Sequence, residues 1–256
     1  MSSGMVIGNW KMNLDYVEAV HLTQQLVTLM RAHPSPATQV VVAPPFVDLR
    51  SVTSVLEAER SPIEVAAQHV NPHERGAHTG EVSLGMLARL GVTSVIVGHS
   101  ERRTMYHMDD DVVRATVAAV ISRGLRPIVC VGEDVSVRDQ GDPDEHVRNQ
   151  IAAALEGIEG GDDMVVAYEP LWAIGTGRSA DAAQVRAMTT VIHAALRATG
   201  RAGARVLYGG SVTPENASGL IEEGGVDGFL VGGASLSAES FHAIIRVVND
   251  CYAGRR

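Results

Sequence analysis

Three side chains able to move protons or steady charge stand just past short apolar runs. Glu169 lies in "AYEPLWAIGTG" (Ala167–Gly177), directly after "MVVAY". His99 lies in "GHSERR", after "SVIVG". Lys11, with Asn9, lies in "GNWKMN" at the end of "MVIGN". Two glycine-rich turns follow further runs: "YGGSV", with Ser211, and "VGGASL", with Gly232 and Gly233. A carboxylate kept from water can take a carbon-bound proton, and an imidazole and an ammonium can stabilise the oxyanion that forms beside that carbon. Glycine turns expose backbone N–H groups suited to a phosphate dianion. Together these residue types describe proton abstraction next to a carbonyl in a small phosphorylated sugar, a chemistry that needs neither metal nor organic cofactor.

Such residues work together only if the fold brings them to one place. Eight strand-like runs recur: Met5–Asn9, Gln39–Ala43, Ile63–Gln68, Ser94–Gly98, Pro127–Gly132, Met164–Tyr168, Arg205–Gly209 and Gly228–Gly232. They are short, rich in β-branched residues and almost continuously apolar, the pattern of parallel strands buried on both faces. Segments of helical periodicity lie between them, such as "VEAVHLTQQLVTLM" and "DDDVVRATVAAVISRG". In the second, acids sit at the predicted start and Gly124 at the stop. Eight strand–helix units of about 30 residues each favour a closed (β/α)8 barrel over an open doubly wound sheet. One barrel domain is therefore expected over residues 1–256. A barrel presents its chemistry just past its strands, which is where Asn9, Lys11, His99, Glu101, Glu169, Ser211, Gly232 and Gly233 fall.

Bulk properties narrow the partners. The formal net charge is −9, with 30 Asp and Glu against 21 Lys and Arg, and 45% of residues are hydrophobic. An acidic surface argues against nucleic acid or anionic membranes, though a local positive site can still hold a small anion. No apolar stretch approaches the roughly 20 residues of a membrane span, and the N-terminus lacks a secretory pattern. Cys130 and Cys251 are too far apart in sequence for a disulfide framework or zinc motif, so a reducing cytoplasm is expected.

The motifs "GNWKMN", "GHSERR", "CVGE", "AYEPLWAIGTG", "YGGSV" and "DGFLVGGASL" occur in one order along essentially the whole chain. In this the sequence resembles the triosephosphate isomerase family, whose fold is the TIM barrel. The resemblance implies a cytoplasmic homodimer of glycolysis and gluconeogenesis, interconverting dihydroxyacetone phosphate and D-glyceraldehyde 3-phosphate through an enediolate. It makes Glu169 the base, His99 a neutral electrophile, Lys11 a stabiliser of negative charge and Asn9 a holder of substrate oxygens. Glu101 becomes the acid paired with the lysine. A mobile lid comprises Pro170, Leu171, Trp172, Ala173, Ile174, Gly175, Thr176, Gly177, Arg178, Ser179 and Ala180. Gly175, with Ser211, Gly232 and Gly233, would bind phosphate.

Other readings of the same residues are weaker. "GTGRSA" (Gly175–Ala180) matches a dinucleotide-binding pattern, but its glycines do not open directly from a strand. His69, His73, Glu74 and His78 match no common zinc spacing, and the resemblance makes the loop His73–Glu81 a dimer-docking arm. Two positions depart from the family: His78 replaces an aromatic residue of that arm, and Met108 replaces a glutamate of a buried network near the subunit contact. Both are expected at the dimer surface, where an imidazole would weaken association towards acid pH. The alternative activities are an erythrulose-phosphate isomerase of the same family and a non-catalytic sugar-phosphate-binding barrel. The triose-type motifs and the intact set Lys11, His99 and Glu169 favour the first reading.

Overall fold

The computed structural model describes residues 3–173 and 180–254. Eight parallel strands close on themselves in sequence order, β8 pairing with β1. They are β1 (Gly4–Asn9), β2 (Thr38–Ala43), β3 (Glu64–Ala67), β4 (Ser94–Val97), β5 (Arg126–Val131), β6 (Val165–Tyr168), β7 (Arg205–Tyr208) and β8 (Gly228–Val231). Around them run α1 (Tyr16–Ala32), α2 (Leu49–Ala58), α3 (Leu84–Arg89), α4 (Ser100–Met105), α5 (Asp110–Ser122) and α6 (Val135–Gln140). α7 (Pro143–Leu155), α8 (Ala182–Ala198), α9 (Pro214–Glu222) and α10 (Ala238–Ala253) complete the ring. The fold is the expected (β/α)8 TIM barrel, and each predicted strand lies within a residue or so of its observed place.

Helix ends follow local chemistry. Asp15 and Asp181 form capping boxes with Glu18 and Gln184 at the starts of α1 and α8. In the acidic run before α5, Asp109 is the cap, accepting the Val112 N–H, and Gly124 turns the chain out with φ 74°.

Strand alternation separates two apolar layers. One set fills the barrel: Met5, Ile7, Val41, Ala43, Ala66, Ile96, Ile128, Cys130, Val165, Ala167, Leu207 and Leu230. The other set, including Val6, Val40, Val95, Val129, Val166 and Phe229, packs against the helices. This double burial explains the continuous apolarity of the runs. Extending the inward rows by one more alternate residue reaches the barrel mouth. Met5–Ile7 leads to Asn9, Ala66 to Gln68, and Val165–Ala167 to Glu169. The rows of β5, β7 and β8 end instead on Gly132, Gly209 and Gly232. Polar side chains and gaps therefore meet at one end by the period of the β-strand alone.

Candidate active site

Glu169 ends the inward row of β6 and is only 2% exposed. Its Oε2 accepts the Ser100 N–H at 3.0 Å, and its Oε1 lies 2.9 Å from His99 Nε2. His99 caps α4, and its Nδ1 accepts the Glu101 N–H at 3.2 Å. That bond fixes Nδ1 as the acceptor, so a neutral ring carries its proton on Nε2 and points it at the carboxylate. The chain reaches His99 through Gly98, whose φ of 70° favours glycine; a Cβ there would crowd Val113 and Arg103.

Lys11 approaches from β1. Its Nζ lies 2.7 Å from Glu101 Oε1, and its backbone N–H donates to Asn9 Oδ1 at 3.1 Å. Lys11 is held at φ 53°, a strained conformation for a side-chain-bearing residue. Gln68 keeps it there: Gln68 Nε2 donates to the carbonyls of Lys11 and Ala43, both at 2.8 Å. The strain directs the ammonium across the mouth instead of along the strand.

These groups line one side of a cavity of about 400 Å³, and Gly209, Gly210, Ser211, Gly232 and Gly233 line the other. The glycines serve two purposes. A Cβ on Gly209 would press to 3.0 Å from Glu169 Cγ, and one on Gly210 would overlap the Tyr208 ring. At Gly233 a Cβ would meet nothing within 4 Å, and at Gly232 only Lys11 Cε at an ordinary 3.6 Å, so neither glycine is forced by crowding. One end of the cavity thus holds an imidazole, an ammonium and a carboxylate, and the other exposes backbone.

The stretch after Glu169 is anchored before it leaves the described residues. Pro170 leads into a 3-10 turn, Leu171–Ala173. The Leu171 N–H donates to the Glu133 carbonyl at 3.0 Å. Glu133, fully buried, accepts from Trp172 Nε1 at 2.7 Å and Tyr168 Oη at 3.0 Å. Burial pushes its carboxyl above the ordinary range, against the pull of those bonds and of Arg138. Ala180 resumes the chain, partly buried against the core. Of the residues expected to form a lid, Ile174 to Ser179, Gly175 among them, lie outside the described residues.

A model of the family described as triosephosphate isomerase matches residues 4–248. A relative named triosephosphate isomerase from Rhodococcus jostii is 44% identical over 243 residues, which is 93% of each chain. One of the same name from Leifsonia xyli subsp. xyli is 44% identical over 248 residues, covering 94% of this chain and 96% of its own. Another, from Cutibacterium acnes, is 43% identical with the same coverage. The chain belongs to the triosephosphate isomerase family. It is an isomerase by that membership.

Of the site residues that the family motifs pointed to, Asn9, Lys11, His99, Glu169, Ser211, Gly232 and Gly233 line one cavity, and Glu101 reaches it through Lys11. Sequence reasoning passed over Gln68 and the Ser100 N–H, took Gly209 and Gly210 only as part of an anion-binding turn, and gave Glu133 no task. Gln68 is the one with a readable signal, since it continues an inward row past β3.

The two departures from the family pattern fall in different places. His78 is exposed on the arm, its ring stacked on His73 with centroids 4.7 Å apart. Met108, at a position the family resemblance assigns to a buried network near the subunit contact, is 7% exposed within the single chain and packs between barrel and helices. The left-handed His107 (φ 52°) reverses the chain after α4 and drops Met108 inward. A methionine fills that apolar layer where a carboxylate would need partners.

Proposed function

We propose that this protein interconverts dihydroxyacetone phosphate and D-glyceraldehyde 3-phosphate, with Glu169 as the base. One observation carries the reading: a carboxylate 2% exposed shares one cavity with an imidazole, an ammonium and two glycine turns. The phosphate binds at Ser211, Gly232 and Gly233, with Gly175 of the lid closing over it. The carbonyl oxygen then meets His99 Nε2–H and Lys11 Nζ, and Asn9 holds the neighbouring oxygens. Glu169 takes a proton from the carbon beside the carbonyl, and the electron pair shifts onto the carbonyl oxygen as an enediolate. His99 moves a proton between the two oxygens, and Glu169 returns its proton to the adjacent carbon. Both chemical ends of the cycle leave Glu169 ionised and His99 neutral.

The lid, Pro170 to Ala180, excludes water while the enediolate exists. Trp172 and the Glu133 anchor form its near hinge. We extend the reading to a homodimer in the cytoplasm, docking through the arm His73–Glu81, which is exposed throughout. Sedimentation at about pH 5.5 and about pH 8 checks the part His78 plays, because a protonated imidazole weakens the contact. Equal dimer affinity at the two values removes that role.

A coupled assay on D-glyceraldehyde 3-phosphate and on a four-carbon ketose phosphate tests the substrate. Higher kcat/KM on the four-carbon sugar overturns the proposal. Glu169→Asp withdraws the carboxylate by one methylene, and a misplacement of about 1 Å costs on the order of 10²-fold. Unchanged turnover in that variant removes Glu169 from its role.

A further inference from the structure

Gln150 is out of character with its surroundings. It lies on α7 among Val147, Ile151 and Ala154, all at most 1% exposed, on the face turned to the barrel. An amide beside such a face costs free energy unless it is bonded. Its Oε1 accepts the Gly132 N–H at 2.8 Å.

Gly132 needs that acceptor because of where β4 stops. Val131, the last residue of β5, and Glu133 beyond it pair with the β6 side: the Glu169 N–H donates to the Val131 carbonyl at 2.8 Å, and the Leu171 N–H to the Glu133 carbonyl at 3.0 Å. In a parallel ladder the residue between them turns its N–H the other way, towards β4. The last β4–β5 pair is Val97 with Val129, and the chain then leaves at Gly98. The Gly132 N–H therefore faces a place where no strand continues, and the Gln150 side chain stands in for it.

On its other side, Gly132 presses against the base. A Cβ at Gly132 would overlap the backbone carbonyl oxygen of Glu169. The Gly132 peptide is thus held between Gln150 and the main chain of Glu169. Gln150, Glu169 and Ser100, whose N–H holds Glu169 Oε2, also line one cavity of about 230 Å³ behind the carboxylate.

We infer that Gln150 is a positioning residue for the Glu169 carboxylate, acting through Gly132 and reaching neither substrate nor reacting atoms. The inference rests on the reading of Glu169 as the base. Without its acceptor, the Gly132 peptide turns to find water, and the main chain of Glu169 moves into the space released. The binding side of the cavity, built on β7 and β8, stays where it is.

The test compares Gln150→Met, close in shape but without the acceptor, with Gln150→Glu, which keeps one. For D-glyceraldehyde 3-phosphate, Gln150→Met is expected to lower kcat about tenfold, since a shift of about 1 Å costs on the order of 10²-fold and this one is smaller. KM should stay within about twofold. The primary deuterium isotope effect on kcat should rise as proton abstraction becomes slower than other steps. Gln150→Glu should recover most of the loss. Gln150→Asn, one methylene short, is expected to fall between them and serves if the Met variant does not fold. Amide hydrogen exchange at Gly132 should quicken in the Met and Asn variants. Wild-type kcat and isotope effect in a folded Met or Asn variant overturn the inference, as does a Glu variant no better than Met. A wild-type enzyme that does not turn over this substrate condemns the reading of the site instead.

Discussion

At the floor of the barrel, where strands begin, Arg126 of β5 donates to Glu64 of β3 at 3.1 Å and lies 3.4 Å from Ser94 of β4. Glu64 also accepts from Gln39 and Thr93, and Arg205 of β7 donates to Gln39 at 2.9 Å. Burial, and then Arg126, hold the Arg205 guanidinium below its ordinary value. At the mouth, where strands end, Glu169, His99 and Lys11 are held by one or two contacts each, to backbone N–H groups, to one another or to Glu101, and each keeps a face on the 400 Å³ cavity. Both ends gather charge inside a barrel. The floor ties side chains of five strands to one another, though Arg126 Nε has no hydrogen-bond partner among the described residues and lies 3.6 Å from Asp163, whereas the mouth leaves capacity for a ligand. A polar cluster that closes on itself is part of the scaffold; one that opens on a cavity lined by glycine is a place for chemistry.

The sharpest way to break this contrast is one substitution at each end. Glu169→Gln keeps shape and removes the carboxylate proposed as the base. Turnover should fall about 10³-fold, within the range of general acid–base catalysis, with the melting temperature kept or raised. A Gln variant with turnover within tenfold of wild type would falsify the assignment of the mouth to proton transfer.

His69, past the end of β3, extends the contrast to the rim. Burial, and then Arg102, push its imidazole down to about 4. Its contact with Glu81, 3.5 Å away, is therefore not an ion pair at neutral pH. A depressed histidine contributes stability that is present above its unfolded value of 6.5 and lost as pH falls towards about 4, on the order of 3 kcal/mol in full. His69→Gln should flatten thermal stability across that window. Parallel wild-type and variant curves would show that His69 protonates freely in the fold.

Arg126→Met is the matching change at the floor. It strands part of the Glu64 carboxylate, which keeps Gln39 and Thr93, so about 2 kcal/mol of stability should go. Turnover of the folded variant should stay at wild type. A tenfold loss of kcat at full folding would mean that floor and mouth are coupled and the division is wrong.

How much of this was legible beforehand follows from which interactions are local. The strands were readable because double burial writes itself as continuous Val and Ile, and Glu169 because it extends such a run. The start of α5 was readable from its Asp cap. The short α3, α4 and α6, six residues each, are too brief for helical period to show. Gly132 and Gly209 gave no signal because their reason is a close approach by Glu169, a residue distant in sequence. Gln150 gave none because its task exists only where β4 has ended.

The smallest expected effect separates two buried acids one strand apart. Glu169 and Glu133 are 2% and 0% exposed. Glu169 keeps a face on a cavity, while Glu133 Oε1 takes Trp172, Tyr168 and, at 3.4 Å, Arg138. Glu133 Oε2 is buried without a hydrogen-bond partner. Desolvation raises the Glu133 pKa above its ordinary 4.5, so the folded state binds that proton more tightly than the unfolded chain does. The protonated form thus adds stability that is full below pH 4.5 and is lost as pH rises through the raised value. Glu133→Gln keeps an acceptor for Trp172 and Tyr168 and removes the desolvated charge. Its melting temperature should match wild type in acid and equal or exceed it at neutral pH, with turnover within a few-fold. If wild type is instead the more stable protein at neutral pH, the contact with Arg138 outweighs desolvation. Glu133 would then be an ion-pair anchor of the kind found at the floor, carried to the mouth.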